Sequence, residues 1–218
     1  MMRGMIFDVD GVILDSMGIW MDVSARYLRA RGICPEEDLC EKMWTMSLPE
    51  GADYLKEHYH LSESAEAIMQ GNLAIVEDFY YFEAPMKDGV KEFLQRAKEN
   101  GFRMIVATSG DKKCVRRAFE RLGILDLFCD IITPVEAGAG KTSPIIYQKA
   151  AELMGVRVEN AYVFEDAIHA AKTAKAAGFK VVGVYDSYSE KDQEELRKTA
   201  DIYLTSFLQD ESFWEEAK

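Results

Sequence analysis

Nowhere do these 218 residues run through the roughly 18 uninterrupted apolar positions that a membrane-spanning helix needs, although 48% of the chain is hydrophobic. Cysteine is scarce. Cys34, Cys40, Cys114 and Cys129 make neither a CxxC pair nor zinc-finger spacing, so they read as reduced, structural thiols. Histidine is scarcer still, and His58 and His60 lie in a Tyr-rich segment with no third zinc ligand nearby. Positive charge is also short: 26 Lys and Arg face 38 Asp and Glu, a net charge of −12. A duplex-binding protein needs the opposite balance, and an anionic membrane surface would repel this one. Small anionic substrates stay open, because a metal and a few donors reverse the field locally. At the N-terminus, MMRGMIFDVD places Asp8 and Asp10 directly after a very short apolar run, unlike a signal peptide. A cytoplasmic protein is expected.

What the chain does have is pattern. Met5–Val9 reads as a buried parallel strand that breaks at Asp10-Gly11. From about Ser16 to Phe82 strand signals vanish and helical spacing takes over. Trp20, Val23 and Tyr27 share one face, as do Ile68, Ala74, Ile75 and Phe79, and Pro35 and Pro49 sit where helices begin. Trp44, Met46 and Leu48, with the run Phe79–Phe82, read as packing surface of the same helical segment. After Pro85 the pattern alternates. Helices are expected over 87–99, 112–122, 144–154, 167–177 and 190–199, and strands over 103–107, 131–132, 161–164, 180–184 and 202–204. Strands alternating with helices of this length imply βαβ units: an α/β, Rossmann-like parallel sheet with helices on both faces. Setting the helical stretch aside leaves about 150 residues, an ordinary domain size. The expected organisation is therefore an α/β core of residues 1–15 and 83–218, interrupted by an all-α cap, residues 16–82. Such an insertion is expected above the carboxyl ends of the strands.

Four features fall at those ends. They are Asp8-Val9-Asp10-Gly11 after the first strand, Thr108-Ser109-Gly110 after the second, Lys141 ahead of a helix, and Glu165-Asp166 after the fourth. A parallel sheet brings all of them to one edge. Several carboxylates share a site only when a cation offsets their repulsion, and an all-oxygen set suits Mg²⁺. Lys141 and the Thr108 hydroxyl would meet phosphoryl oxygens. Backbone N–H groups after Asp10, at Gly11, and around Ser109 and Gly110 would complete a phosphate cradle. His169, on the helix after Asp166, reads as a surface or packing residue.

The runs FDVDGVILDS, IVATSG, GKTSPIIYQKAAELMGV and YVFEDAIHAAKTAKAAGFKVVGV resemble the haloacid dehalogenase-like phosphatases. Within them they are most similar to the β-phosphoglucomutase and phosphoglycolate phosphatase-like group, which carries a helical cap. The resemblance implies that Asp8 is the nucleophile, forming an aspartyl phosphate. Asp10 would protonate the leaving alcohol and then activate water. Asp8, Asp166 and the Asp10 backbone carbonyl would hold Mg²⁺, with Glu165 a ligand or its neighbour, while Thr108 and Lys141 serve the phosphoryl group. Two departures stand out: Lys141-Thr142-Ser143-Pro144 replaces a frequent Lys-Pro-x-Pro, and Ala167 and Ala170 replace a common Ser and Gly.

The expected function is a Mg²⁺-dependent phosphatase of a small phosphorylated metabolite, a sugar or alcohol monophosphate, acting as a monomer without nucleic acid or membrane partners. A phosphosugar mutase is the alternative, but such relatives carry a His early and a Lys late in the cap. Trp20 takes the first position, and residues 62–82 hold no Lys or Arg. Phosphonate hydrolysis would need a cap Lys, dehalogenation would dispense with the second Asp, and a metabolite-sensing protein without catalysis is the remaining reading. The cap is acidic, with 13 Asp and Glu between residues 15 and 82 against five Lys and Arg.

Overall fold

A computed structural model describes residues 2–43 and 46–217, and Trp44 lies outside them. The chain forms two compact units, one of residues 1–16 and 84–218, the other of residues 17–83.

The larger unit is built on six parallel strands: β1 (Arg3–Phe7), β2 (Phe102–Ala107), β3 (Ile131–Ile132), β4 (Ala161–Glu165), β5 (Lys180–Val184) and β6 (Ile202–Leu204). Their spatial order is 3-2-1-4-5-6, the doubly wound arrangement, in which the chain reverses direction of travel between β1 and β4. The apolar runs are buried on both faces, as parallel sheets require. On one face Phe7 stacks on Phe164 with ring centroids 4.3 Å apart, Phe93 packs edge-on against both, and Phe213 lies tilted against Phe164. On the other, Ile6, Ile105 and Val163 meet Tyr147 and Met154 of the helix Ile145–Met154. Helix ends follow local chemistry. Lys112–Leu122 starts where the Asp111 carboxylate accepts the N–H groups of Lys113 and Cys114, at 2.8 and 3.0 Å, and stops at Gly123 with φ +69°.

Several boundaries differ from the sequence expectation, each for a visible reason. The first strand ends at Phe7, not Val9, because the Val9 carbonyl accepts turn N–H groups from Ile13 and Leu14, at 2.9 and 2.8 Å. The helix after Pro85 starts at Val90, not Lys87, since Gly89 sits at φ +81° ahead of it. The helix expected from Glu190 begins as a 3-10 segment, Ser187–Asp192, and becomes Gln193–Thr199. A short terminal helix, Glu211–Glu216, was not anticipated; it buries Phe213 and Trp214 while Glu215 and Glu216 remain solvated.

The chain leaves and rejoins this unit through a small ladder. The Asp15 N–H donates to the Pro85 carbonyl at 3.0 Å, the Lys87 N–H to the Ile13 carbonyl at 2.9 Å, and Leu14 bridges Met86 in antiparallel fashion.

The smaller unit is helical: Gly18–Arg29, Leu39–Met43, Leu48–His58 and Ala65–Asp78, the last running into a π-helical turn, Phe79–Glu83. Pro49 lies in a first turn, behind a capping box in which the Ser47 N–H donates to Glu50 Oε2 at 2.8 Å. Pro35 starts no helix; it lies in irregular chain ahead of Leu39. Tyr27, Leu28, Leu55 and Ile68 form the core. The expected apolar faces are only partly inward. Val23 and Tyr27 are buried while Trp20 is 42% exposed, and Ala74, Leu48 and Phe82 also face water. The buried face of Ala65–Asp78 is instead Ile68, Asn72 and Val76.

Candidate active site

Asp8 is the first residue beyond β1, and its N–H donates to the Phe164 carbonyl at 3.0 Å. This bond ties the end of β1 to the end of β4, where Glu165 closes the strand and Asp166 follows. Carboxylate oxygens of Asp8, Glu165 and Asp166 all lie within 4.8 Å of one another. They sit at the point where the strand order reverses, the crevice in which doubly wound sheets bind ligands. Gly11, with φ +80°, closes the turn after β1. A side-chain carbon there would lie 2.7 Å from Asp166 Oδ2, so only glycine fits.

Lys141, in the turn ahead of Ile145–Met154, reaches into this cluster. Its ammonium is buried and pairs with Asp8 Oδ1 and, at 2.9 Å, with Glu165 Oε1. Burial alone would lower its pKa, but the two facing carboxylates override that and raise it, so it stays charged. The Tyr147 hydroxyl donates to the same Glu165 Oε1 at 2.8 Å. Glu165 is pushed up to about 7, chiefly by burial and then by the charge on Asp8, against the pull of Lys141. Asp166 is raised well above the usual carboxylate range by burial and by its neighbours Asp8 and Glu165.

Asp10 stands apart from this trio. Its Oδ1 accepts the Ser16 hydroxyl at 2.5 Å. Thr108 is fully buried after β2, and its Oγ1 accepts the Gly110 N–H at 2.9 Å, which fixes the Thr108-Ser109-Gly110 turn. A side-chain carbon on Gly110 would lie 3.4 Å from Asp10 Oδ2, so this turn and Asp10 are adjacent. Ser109 is exposed, as is His169. The structure thus brings Asp8, Glu165 and Asp166 into one carboxylate cluster, with Lys141 paired to the first two, and sets Asp10 beside Ser16 and the Gly110 turn. It adds three residues that sequence reasoning passed over: Tyr147, Ser16 and Asp186. Asp186 follows β5, a strand-end carboxylate by the same criterion that singled out the others.

The trio fits a divalent cation. Its donors are all oxygen, and Glu165 Oε2 is buried with no hydrogen-bond partner among the described residues, a costly state that a cation would relieve.

A family model for the haloacid dehalogenase-like hydrolases matches residues 2–178. The chain belongs to that family and is a hydrolase. It is 30% identical over 195 residues to the phosphorylated carbohydrates phosphatase of Thermotoga maritima, covering 87% of this chain and 88% of that one. It is 28% identical over 200 residues to the validoxylamine A 7′-phosphate phosphatase of Streptomyces hygroscopicus subsp. limoneus, with 91% of each covered. The crystal structure of a T. maritima protein provisionally assigned as a β-phosphoglucomutase superposes with a TM-score of 0.85 over the whole of both chains, at 23% identity, and supports the fold. Phosphoric monoester hydrolysis is the activity these curated relatives are named for. No helix among the described residues is long and apolar enough to cross a membrane.

Proposed function

We propose that the protein is a Mg²⁺-dependent phosphatase that hydrolyses a small sugar or alcohol monophosphate through an aspartyl phosphate on Asp8. The observation that carries this reading is the buried group of Asp8, Glu165 and Asp166 at the strand-order reversal, with Lys141 paired to two of them. Phosphoryl transfer asks chiefly for positioning and charge neutralisation, and this edge of the sheet supplies both.

Mg²⁺, held by Asp8, Asp166 and the Asp10 carbonyl with Glu165 beside or among them, would offset the charge on the transferring phosphoryl group. Asp8 attacks phosphorus, and the Asp8 N–H bond to Phe164 holds its backbone during the attack. Lys141 orients the Asp8 carboxylate and balances negative charge from the substrate. Asp10, steadied by the Ser16 hydroxyl, gives its proton to the leaving alcohol and afterwards takes one from the attacking water. The buried Thr108 hydroxyl and the Ser109 N–H donate to phosphoryl oxygens, whereas the Gly11 and Gly110 N–H groups, expected from the sequence to join them, are taken by the Leu14 carbonyl and Thr108 Oγ1 at 2.9 Å each. The relatives named for phosphorylated carbohydrates and for a validoxylamine phosphate support a polyol-like substrate. The net charge of −12 on the chain disfavours a second anionic group on it.

The test is hydrolysis of p-nitrophenyl phosphate, then of a hexose monophosphate, its bisphosphate and phosphoglycolate, with and without Mg²⁺. Activity that vanishes in chelator and favours the monophosphate by about tenfold is the expected result. Full activity in excess chelator overturns the metal-dependent mechanism.

A further inference from the structure

One buried carboxylate near the cluster has no part in the mechanism above. Asp186 is 3% exposed and lies two residues beyond β5. Its Oδ1 accepts the Tyr188 N–H at 2.9 Å, and its Oδ2 pairs with the Lys87 ammonium at 2.9 Å. The same ammonium donates to the carbonyls of Gly11 and Tyr185, each at 2.7 Å. All three Lys87 protons are thereby committed, and they tie the turn after β1 to the turn after β5. Asp166 lies across Gly11 from Asp186. A side-chain carbon on Gly11 would be 2.9 Å from Asp166 Cγ and 3.3 Å from Asp186 Cγ, so the two carboxyl groups flank one glycine. Ser189 reinforces the link, its hydroxyl lying 3.4 Å from Asp166 Oδ2 and 3.3 Å from the Asp186 carbonyl.

We infer that Asp186 is a positioning residue that sets the charge of the cation site without touching the ion, and that Lys87 holds it there and moderates its field. The inference rests on the metal-dependent reading above. Asp186 is one glycine away from a carboxylate that would hold the cation, in a medium far less polar than water, so removing its charge changes affinity by about tenfold. The two partners act with opposite sign. Neutralising Asp186 removes a favourable negative charge and leaves Lys87 unopposed, which weakens cation binding. Neutralising Lys87 leaves the Asp186 charge unmoderated, which preserves or tightens it. A clamp with a purely structural role predicts instead that both changes loosen the Gly11 turn and weaken binding together.

Calorimetric titration of the metal-stripped protein with MgCl₂ and with MnCl₂ separates these outcomes. Asp186→Asn should raise Kd about tenfold, Lys87→Met should leave it unchanged or lower it, and the double variant should return towards wild type. The Mg²⁺ concentration giving half-maximal activity should follow Kd, while kcat at saturating Mg²⁺ changes little. An unchanged Kd in Asp186→Asn, or equal weakening in both single variants, overturns the inference while the phosphatase reading stands. Should Asp186→Asn fail to fold, Lys87→Met alone decides, since weakening beyond about threefold overturns the inference. A wild-type protein that binds neither cation overturns the metal-dependent reading itself, and this inference with it.

Discussion

The two units of this chain manage their buried polar groups in opposite ways. In the α/β unit Lys141 pairs with Asp8 and Glu165, and Lys87 with Asp186, and Lys141, Glu165, Asp166 and Asp186 are buried. In the helical unit Asn72 is the only buried residue among those described that is neither apolar nor aromatic, and the pairs made by Arg26, Arg31 and Lys42 are all partly exposed. Buried charge is costly unless paired, so a fold that keeps so much of it in one place keeps it for a reaction. The helical unit, held by Tyr27, Leu28, Leu55 and Ile68, carries no comparable commitment. Its polar orphans, the Tyr27 hydroxyl and Asn72 Oδ1, have no hydrogen-bond partner among the described residues.

Substitutions break this contrast at graded cost. Asp8→Asn should abolish turnover, by at least about a thousandfold in kcat, because an amide cannot accept the phosphoryl group. A purified variant retaining more than a few per cent of activity would show that Asp8 is not the nucleophile. Asp166→Ala should lower activity by about a hundredfold at limiting Mg²⁺ and weaken cation binding measured by titration calorimetry. In the core, Phe93→Ala should cost about 3–5 kcal/mol by denaturant unfolding, since the ring meets Phe7, Phe164, Phe207 and Phe213.

The pH dependence has a definite sign. Glu165 is pushed up to about 7 in the folded, metal-free protein, against an unfolded value near 4.5. Between those values the folded state holds the extra proton, so Glu165 favours the folded state at low pH and ceases to do so as pH rises through about 7. Metal-free protein should melt lower at pH 8 than at pH 6, and Mg²⁺ binding should release protons and tighten over that interval. A melting temperature that climbs across the range contradicts this. The smallest effect belongs to the helical unit: Tyr27→Phe should be neutral or stabilising by about 1 kcal/mol, because it deletes a buried hydroxyl that has no partner among the described residues.

The α/β layout was legible because each apolar run of the sheet is short, buried on both faces and followed by a helix. The positions of Asp8, Asp10, Thr108 and Asp166 beyond their strands were legible for the same reason, since a parallel sheet gathers its strand ends, whereas Lys141 reaches the cluster from the turn ahead of a helix. Tyr147 was hidden because a tyrosine inside an apolar helix reads as packing, and nothing local marks its hydroxyl as a donor to Glu165. Asp186 was marked by its place after β5, yet its partner Lys87 read as the first residue of a helix. The faces of the helical unit were the least legible. Helical periodicity does not say which of several apolar residues turns outward, and there Trp20 and Leu48 turned out exposed.

The ladder of Asp15, Leu14, Pro85, Met86 and Lys87 has a consequence for how such a protein can change. The host sheet is joined to its insert through two chain segments that already pair with each other, so the host sees a closed loop whatever its contents. The entropy of closing a loop grows only with the logarithm of its length, so lengthening or trimming the insert costs the host little. A segment spliced between Ser16 and Ala84 therefore needs only ends that meet at adjacent-strand spacing. The helical unit is in this sense an interchangeable module, free to diverge, shrink or be replaced while the ion-paired edge of the sheet keeps its geometry.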